Sequence, residues 1–178
     1  MEAAKKKYMR ERYNATATGY DELYREEQYE KYGATISYLA GVDRICDIGC
    51  GTLLLLEYLE GKGLAPAYYV GVDLSPGMLR VASSKLRDSR LRGVAHLVDL
   101  VEADAEHLPL RAGSCTMAVS YTVIDLVERP EAMLAEMRRV AGRALVTSLK
   151  KAHRLRGRVV RPGRYFGETS KDYIFLID

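Results

Sequence analysis

The sequence predicts an α/β domain: a doubly wound, mostly parallel sheet with helices on both faces. Three observations carry this. Between residues 44 and 149, short apolar runs alternate with amphipathic stretches, the pattern of parallel strands joined by crossover helices. The first run ends in two closely spaced glycines, Gly49 and Gly51, and the next two end in carboxylates, Asp73 and Asp104. In such a sheet the carboxyl ends of the strands share one rim, where ligands bind, so these residues are expected together.

The elements follow in order. Residues 1–20 are polar and tyrosine-bearing. YDELYREEQYEKYGATISYLA then opens with Asp21, Glu22, Glu26 and Glu27, acids that suit a helix N-terminus, and predicts a helix over 21–40. RICDIG reads as a buried strand, after which Thr52 is expected to cap the helix begun by TLLLLEYLE. AYYVGVD is a second strand, and Ser75 followed by Pro76 marks the start of the helix in SPGMLRVASSKLRDSR. HLVDLVEAD, CTMAVSYTVI and RALVTSL give three more strands. The helix PEAMLAEMRRVA lies between the last two, with Met133, Leu134, Met137 and Val140 on one face. After Lys150 the pattern weakens: GRVVR and DYIFLID read as strands, the latter antiparallel at the sheet edge.

With 178 residues there is room for one such domain and its core. At 48% apolar and 29% charged residues the balance is that of a compact chain. No apolar run approaches the roughly 20 residues needed to span a bilayer, and MEAAKKKYMR is no secretory signal, so a cytoplasmic protein with no membrane association is expected. Cys46, Cys50 and Cys115 form no CxxC pair, and neither a disulfide nor a metal site is expected of them. Asn14 and Gln28 are the chain's only side-chain amides, a bias that accompanies growth at high temperature. The net charge of +3 hides an asymmetry: residues 150–164 carry seven basic side chains (Lys150, Lys151, Arg154, Arg156, Arg158, Arg161, Arg164) and no acid, which leaves −4 for the rest. Such clustering attracts phosphates and other anions.

DIGCGT, Asp47 to Thr52, sets two glycines between a strand and a helix, where a ligand can approach the backbone closely. A dinucleotide loop would read GxGxxG, and the last of those positions is Leu54 here. Asp73, 22 residues after Gly51, stands where a carboxylate accepts both hydroxyls of a ribose. Asp104, beside Ala105, brings another acid to the same rim. Asp47 either touches a ligand or orders its own loop through backbone amides.

Taken together, DIGCGT, VGVDLSPGML and ADAEHLPL, with the helix PEAMLAEMRRV, resemble in order and spacing the class I S-adenosylmethionine-dependent methyltransferases, in particular their ubiquinone/menaquinone-biosynthesis-like (type 11) branch. The likeness covers about residues 40–150, and YNATATGYDELY resembles the tyrosine-bearing lid of that branch. The resemblance implies a Rossmann-like fold in one domain, 1–178: a lid and helix (1–40), a cofactor-binding core (41–150) and a basic C-terminal edge (151–178). It implies S-adenosylmethionine as cofactor. Asp47, Gly49, Cys50 and Gly51 would hold its methionine part and Asp73 its ribose, while Leu74 and Met78 would sandwich the adenine. Asp104 would accept from the adenine amino group, the Ala105 N–H would meet a ring nitrogen, and Ser120 and Tyr121 would border the sulfonium. Leu53 departs from a pattern that often has glycine there.

Methyl transfer is an in-line displacement that relies on positioning and requires no dedicated base. Where a base is needed, Asp125 and Tyr121 are the candidates, and His96 and His107 are expected at the surface or rim. Three functions follow from these residues. The first is methylation of a large anionic acceptor such as tRNA or another RNA, held by the basic segment 150–164. The second is a small or lipid-like acceptor enclosed by the lid beneath Tyr13 and Tyr20. The third is a non-catalytic cofactor-binding subunit, favoured by the short C-terminal region, whose exposed edge strand would pair with a small activator subunit.

Overall fold

The computed structural model describes residues 2–88, 90–152 and 162–178. Two helices come first, α1 (Glu2–Thr16) and α2 (Tyr20–Leu39), joined by a 3₁₀ turn at Ala17–Gly19. The core then alternates β1 (Arg44–Ile48), α3 (Leu54–Gly61), β2 (Tyr68–Asp73), α4 (Pro76–Arg87), β3 (Val98–Glu102), β4 (Cys115–Tyr121), α5 (Pro130–Val140) and β5 (Ala141–Leu149). A hairpin, β6 (Arg164–Glu168) and β7 (Asp172–Ile177), closes the chain. The seven strands form one sheet in the order β3-β2-β1-β4-β5-β7-β6. The first five are parallel, β7 pairs antiparallel with β5, and β6 pairs antiparallel with β7.

Strand alternation distributes the core over both faces. Ile45, Tyr69, Met117, Val119 and Leu145 pack with Leu54, Leu55, Leu59 and Tyr32 on the side of α2 and α3. Cys46, Ile48, Val70, Ala118 and Val146 face the other way, against Met133, Leu134, Met137 and Val140 of α5. That stripe on α5 is buried as its spacing predicted. Ser75 caps α4, its Oγ accepting from Met78 N at 3.1 Å, with Pro76 in the first turn.

Three expectations are corrected. Thr52 does not cap α3: the cap position is Leu53, with no side-chain cap bond, and Thr52 Oγ1 donates to Asp21 on α2 at 2.5 Å. DYIFLID is antiparallel but lies inside the sheet, because RYFGE forms the edge strand beside it. GRVVR lies outside the described residues. The C-terminal region supplies a hairpin, β6 and β7. Finally, Cys46 and Cys115 form a disulfide, Cα atoms 5.9 Å apart. They sit on β1 and β4, far apart in sequence but neighbours in the sheet.

Among the described residues no helix is long and apolar enough to cross a membrane, and no cluster of side chains could hold a metal ion.

Candidate functional site

The carboxyl ends of β1, β2 and β4 and the loop after β3 open onto a cavity of about 430 Å³, roofed by α1 and α2, within the range of small-molecule and cofactor sites. The turn after β1 is its floor. Gly49 and Gly51 have positive φ, 84° and 53°, and a Cβ on Gly49 would overlap Val123 Cγ2, so this close approach requires glycine. Gly49 N and Cys50 N both donate to Val72 O, at 2.7 and 3.0 Å, which ties the turn to β2. Leu53 also has positive φ, 67°, and is fully buried. The left-handed backbone explains why glycine is the usual residue at that position.

Asp73 closes β2 at the cavity. Its oxygens accept from Gly51 N and Ser75 N, both at 2.8 Å, and each keeps a lone pair for a ligand hydroxyl. Burial pushes its carboxyl above the usual range, against the backbone donors that hold it down. Leu74 and Met78 supply apolar walls. Asp104 Oδ1 accepts from Glu106 N at 2.9 Å, and Ala105 lines the cavity beside it.

Asp47 is displaced from these. It lines a recess of about 20 Å³ behind the glycine turn, with Cys50, Gly51 and Tyr121. Its carboxyl accepts from the Tyr69 hydroxyl. Burial pushes it up to about 7, the Tyr69 bond opposes that, and nearby Asp73 adds to it. Burial likewise pushes the Cys50 thiol well up, so it stays a neutral, apolar wall.

Three predicted residues do not work as expected. Ser120 is fully buried and donates to Ile48 O at 2.7 Å, lining neither space. Asp125 holds Ser148 Oγ at 2.9 Å and Leu149 N at 2.7 Å, fixing the loop after β4 to the end of β5 rather than facing the cavity. Tyr121 lines both spaces, but its hydroxyl is engaged with Thr35 Oγ1 at 2.8 Å. Burial drives its pKa far up, which keeps the phenol neutral. His107 is exposed at the rim.

Other cavity residues come from the two N-terminal helices. Tyr20, Tyr24, Glu27, Gln28 and Lys31 form one stripe of α2 facing the cavity, with the Tyr13, Tyr20 and Tyr24 rings in sequence at 6.5 and 4.8 Å. Lys31 is 1% exposed and pairs with Glu27 and Asp172, each at 3.1 Å, and with Thr122 Oγ1 at 2.7 Å. On α1, Lys6 meets Asp104 at 2.7 Å and Glu106 at 3.1 Å. Asn14 Oδ1 accepts from Ser75 Oγ and Gly77 N at 2.7 Å, seating α1 on α4. The spacing 20, 24, 27, 28, 31 is the signal that could have found the stripe.

A parallel sheet with a glycine turn after its first strand, an acid at the tip of its second and an enclosed cavity above them defines an α/β domain built for a nucleoside-bearing cofactor. The family described as Methyltransferase domain matches residues 46–143, more than half of the chain. The chain belongs to that family of S-adenosylmethionine-dependent proteins, in its type 11 branch. It is 39% identical over 104 residues to a malonyl-[acyl-carrier protein] O-methyltransferase of Laribacter hongkongensis, covering 54% of this chain and 33% of that protein. It is 31% identical over 123 residues to a ubiquinone/menaquinone biosynthesis C-methyltransferase of Citrifermentans bemidjiense, covering 68% and 48%. The chain thus spans between a third and a half of the length of these curated relatives. In fold it is similar to an S-adenosylmethionine-dependent methyltransferase from Aquifex aeolicus (TM-score 0.61, 16% identity, 85% of this chain and 87% of that one). It is also similar to a chain in the complex between the Haloferax volcanii Trm112 methyltransferase activator and a methyltransferase (TM-score 0.64, 19% identity, 76% and 59%).

Proposed function

We propose that the chain methylates a small or lipid-like acceptor at the expense of S-adenosylmethionine. The observation that carries this reading is the roof. Tyr13, Tyr20 and Tyr24, with Met9, Leu126 and Val127, enclose the cavity in apolar and aromatic surface, as suits a small acceptor. Of the five cations that line it, Lys6, Arg10, Lys31 and Lys171 are paired with acids, so no broad positive rim faces outward there. The relatives, malonyl-acyl carrier protein and quinone-pathway methyltransferases, point the same way. An RNA acceptor finds less support: Lys150 and Arg164 pair with Glu168 and Asp178, and Arg154, Arg156, Arg158 and Arg161 lie outside the described residues.

When bound, the cofactor supplies a methyl group activated on a sulfonium. Asp73 accepts the ribose hydroxyls, Leu74 and Met78 flank the adenine, and Asp104 and Ala105 meet its edge, for which Lys6 must share Asp104. The turn from Asp47 to Gly51 holds the methionine part. The residues of α2 exclude water and hold the acceptor in line, which is the share of catalysis that positioning provides. With Tyr121 kept neutral and Asp125 engaged elsewhere, no protein base is assigned, and the acceptor reacts as a nucleophile already poised.

The partner reading is a small activator subunit docked along an edge strand of the sheet, β3 or β6, where ladder donors and acceptors are unpaired by the sheet itself. The Haloferax volcanii complex supports it, since the methyltransferase there is bound to the Trm112 activator. The test of function is incubation with methyl-labelled cofactor and separate RNA, protein and small-molecule fractions of a cell extract. Label is expected in the small-molecule fraction, and label confined to RNA overturns the reading.

A further inference from the structure

Among the described residues, Leu53 and Thr122 are the two that have positive φ without being glycine. For a β-branched residue the left-handed region is an outlier, and such strain persists where the surroundings over-determine it, most often at functional sites. Thr122, with a φ of 65°, follows directly on β4 and lines the cavity. Both its chain neighbours bear on the glycine turn. Tyr121 lines the recess with Asp47 and Gly49, and Val123 lies so close to Gly49 that a Cβ there would overlap its Cγ2. The backbone at Thr122 thus sets how the end of β4 walls the cavity beside that turn.

What holds Thr122 there comes from three other elements. Its N–H donates to Thr147 Oγ1 of β5 at 2.9 Å. Its hydroxyl donates to Asp172 Oδ1 of β7 at 2.9 Å and accepts from Lys31 Nζ of α2 at 2.7 Å. Lys31 faces Asp172 Oδ2 at 3.1 Å and Glu27 Oε1 at 3.1 Å. An ammonium has three hydrogens, and three acceptors leave none for a ligand, although Lys31 lines the cavity. Replacing a buried ion pair by apolar residues is often neutral or stabilising, so stability does not explain this one. What it does supply is a fixed place for the Thr122 hydroxyl.

We propose that Lys31 and Asp172 are positioning residues for methyl transfer: their buried pair clamps the Thr122 hydroxyl, keeps that residue left-handed, and so fixes the wall of Tyr121 and Val123 beside which cofactor and acceptor are aligned. The inference rests on the methyltransferase reading given above and extends it to residues that act through Thr122. In-line transfer is steep in geometry, and a misplacement of about 1 Å costs on the order of 100-fold. The effect is thus expected in the transfer step and not in cofactor affinity.

The test combines Lys31→Met with Asp172→Leu in the full chain, which leaves neither charge of the pair behind. Two quantities are measured: calorimetric affinity for S-adenosylhomocysteine, and the initial rate at which methyl-labelled S-adenosylmethionine labels the small-molecule fraction of a cell extract, as cofactor concentration is varied. The double variant is expected to bind S-adenosylhomocysteine within twofold of the wild type and to keep its KM for the cofactor, while the rate at saturating cofactor falls tenfold or more. Adding Thr122→Gly, whose backbone takes positive φ without a clamp, is expected to recover at least threefold of that rate. A double variant with the wild-type rate overturns the proposal, as does one whose rate and affinity fall together, since the pair then merely supports the pocket. Absence of recovery with Thr122→Gly shows that the pair does not act through Thr122 and likewise overturns it. Should the double variant fail to fold, Thr122→Val, which keeps the shape and removes the hydroxyl, should lower the rate with cofactor affinity kept, and an unchanged rate refutes the clamp. A wild type that labels no fraction overturns this inference and the methyltransferase reading together. Label passing only to RNA or protein overturns the small-acceptor reading alone, and the same comparison is then made on that fraction.

Discussion

Asp47 carries the clearest pH signature in the site. It is 3% exposed, and burial pushes its carboxyl up to about 7. The folded chain therefore holds a proton on Asp47 between the ordinary carboxylate range and about pH 7 that the unfolded chain has released. The sign follows: through that window this residue's contribution to stability falls as pH rises, and above about 7 it changes no further. A ligand that pairs with the ionised form must displace that proton below pH 7. Affinity for S-adenosylhomocysteine is thus expected to rise about tenfold between about pH 6 and pH 8, and Asp47→Asn should flatten the profile; a pH-independent wild type contradicts this. The glycines of the turn were legible because their left-handed backbone demands them. Leu53 was legible as a departure, and its φ of 67° shows a leucine bearing a left-handed conformation at a cost of about 1–2 kcal/mol, offset by full burial of its side chain. Ser120 and Asp125 were misread because sequence position gives the strand end and not the direction of the side chain.

Among the elements, α2 does most to join roof and sheet. Its span was readable to within a residue from its acidic start, but the face it turns inward was not. A stripe holding glutamate, glutamine and lysine reads as solvated surface until the sheet supplies partners. Lys31 is the case in point: its ammonium is buried between Glu27 of its own helix and Asp172 of β7. Removing one member of a buried pair strands the other's charge. Lys31→Met is therefore expected to cost about 3–5 kcal/mol, and adding Asp172→Leu should recover most of it, since two apolar residues leave no orphaned charge. Thermal melts of the two variants check this, and equal stability of Lys31→Met and wild type contradicts it. The strands of the parallel core were legible from their apolar runs, whereas the edge strand β6 was missed because its residues are half exposed and weakly patterned.

At the scale of the whole molecule, the sheet order decides what meets what. It places β1 between β2 and β4, which brings the glycine turn and Asp73 onto one rim and joins Cys46 to Cys115 across 69 residues of sequence. Spacing alone could not show that pair, because strand order is set by crossovers and not by distance along the chain. Closing a loop of that length is worth about 4 kcal/mol in the chain-entropy account. A reducing agent should therefore lower the melting temperature by roughly 10 °C, with Cys115→Ser showing the lower value under either condition; an oxidised and a reduced sample that melt together contradict the link. The central claim concerns that rim: β1 and β2 end in a pocket for an adenosine joined to a methionine tail. Calorimetric titration of S-adenosylhomocysteine into wild type and Asp73→Ala tests it most directly. Saturable binding that Asp73→Ala weakens tenfold or more, as loss of hydrogen bonds to a charged group implies, is the predicted result. Absence of binding by the wild type, or an Asp73→Ala variant that binds equally well, contradicts it.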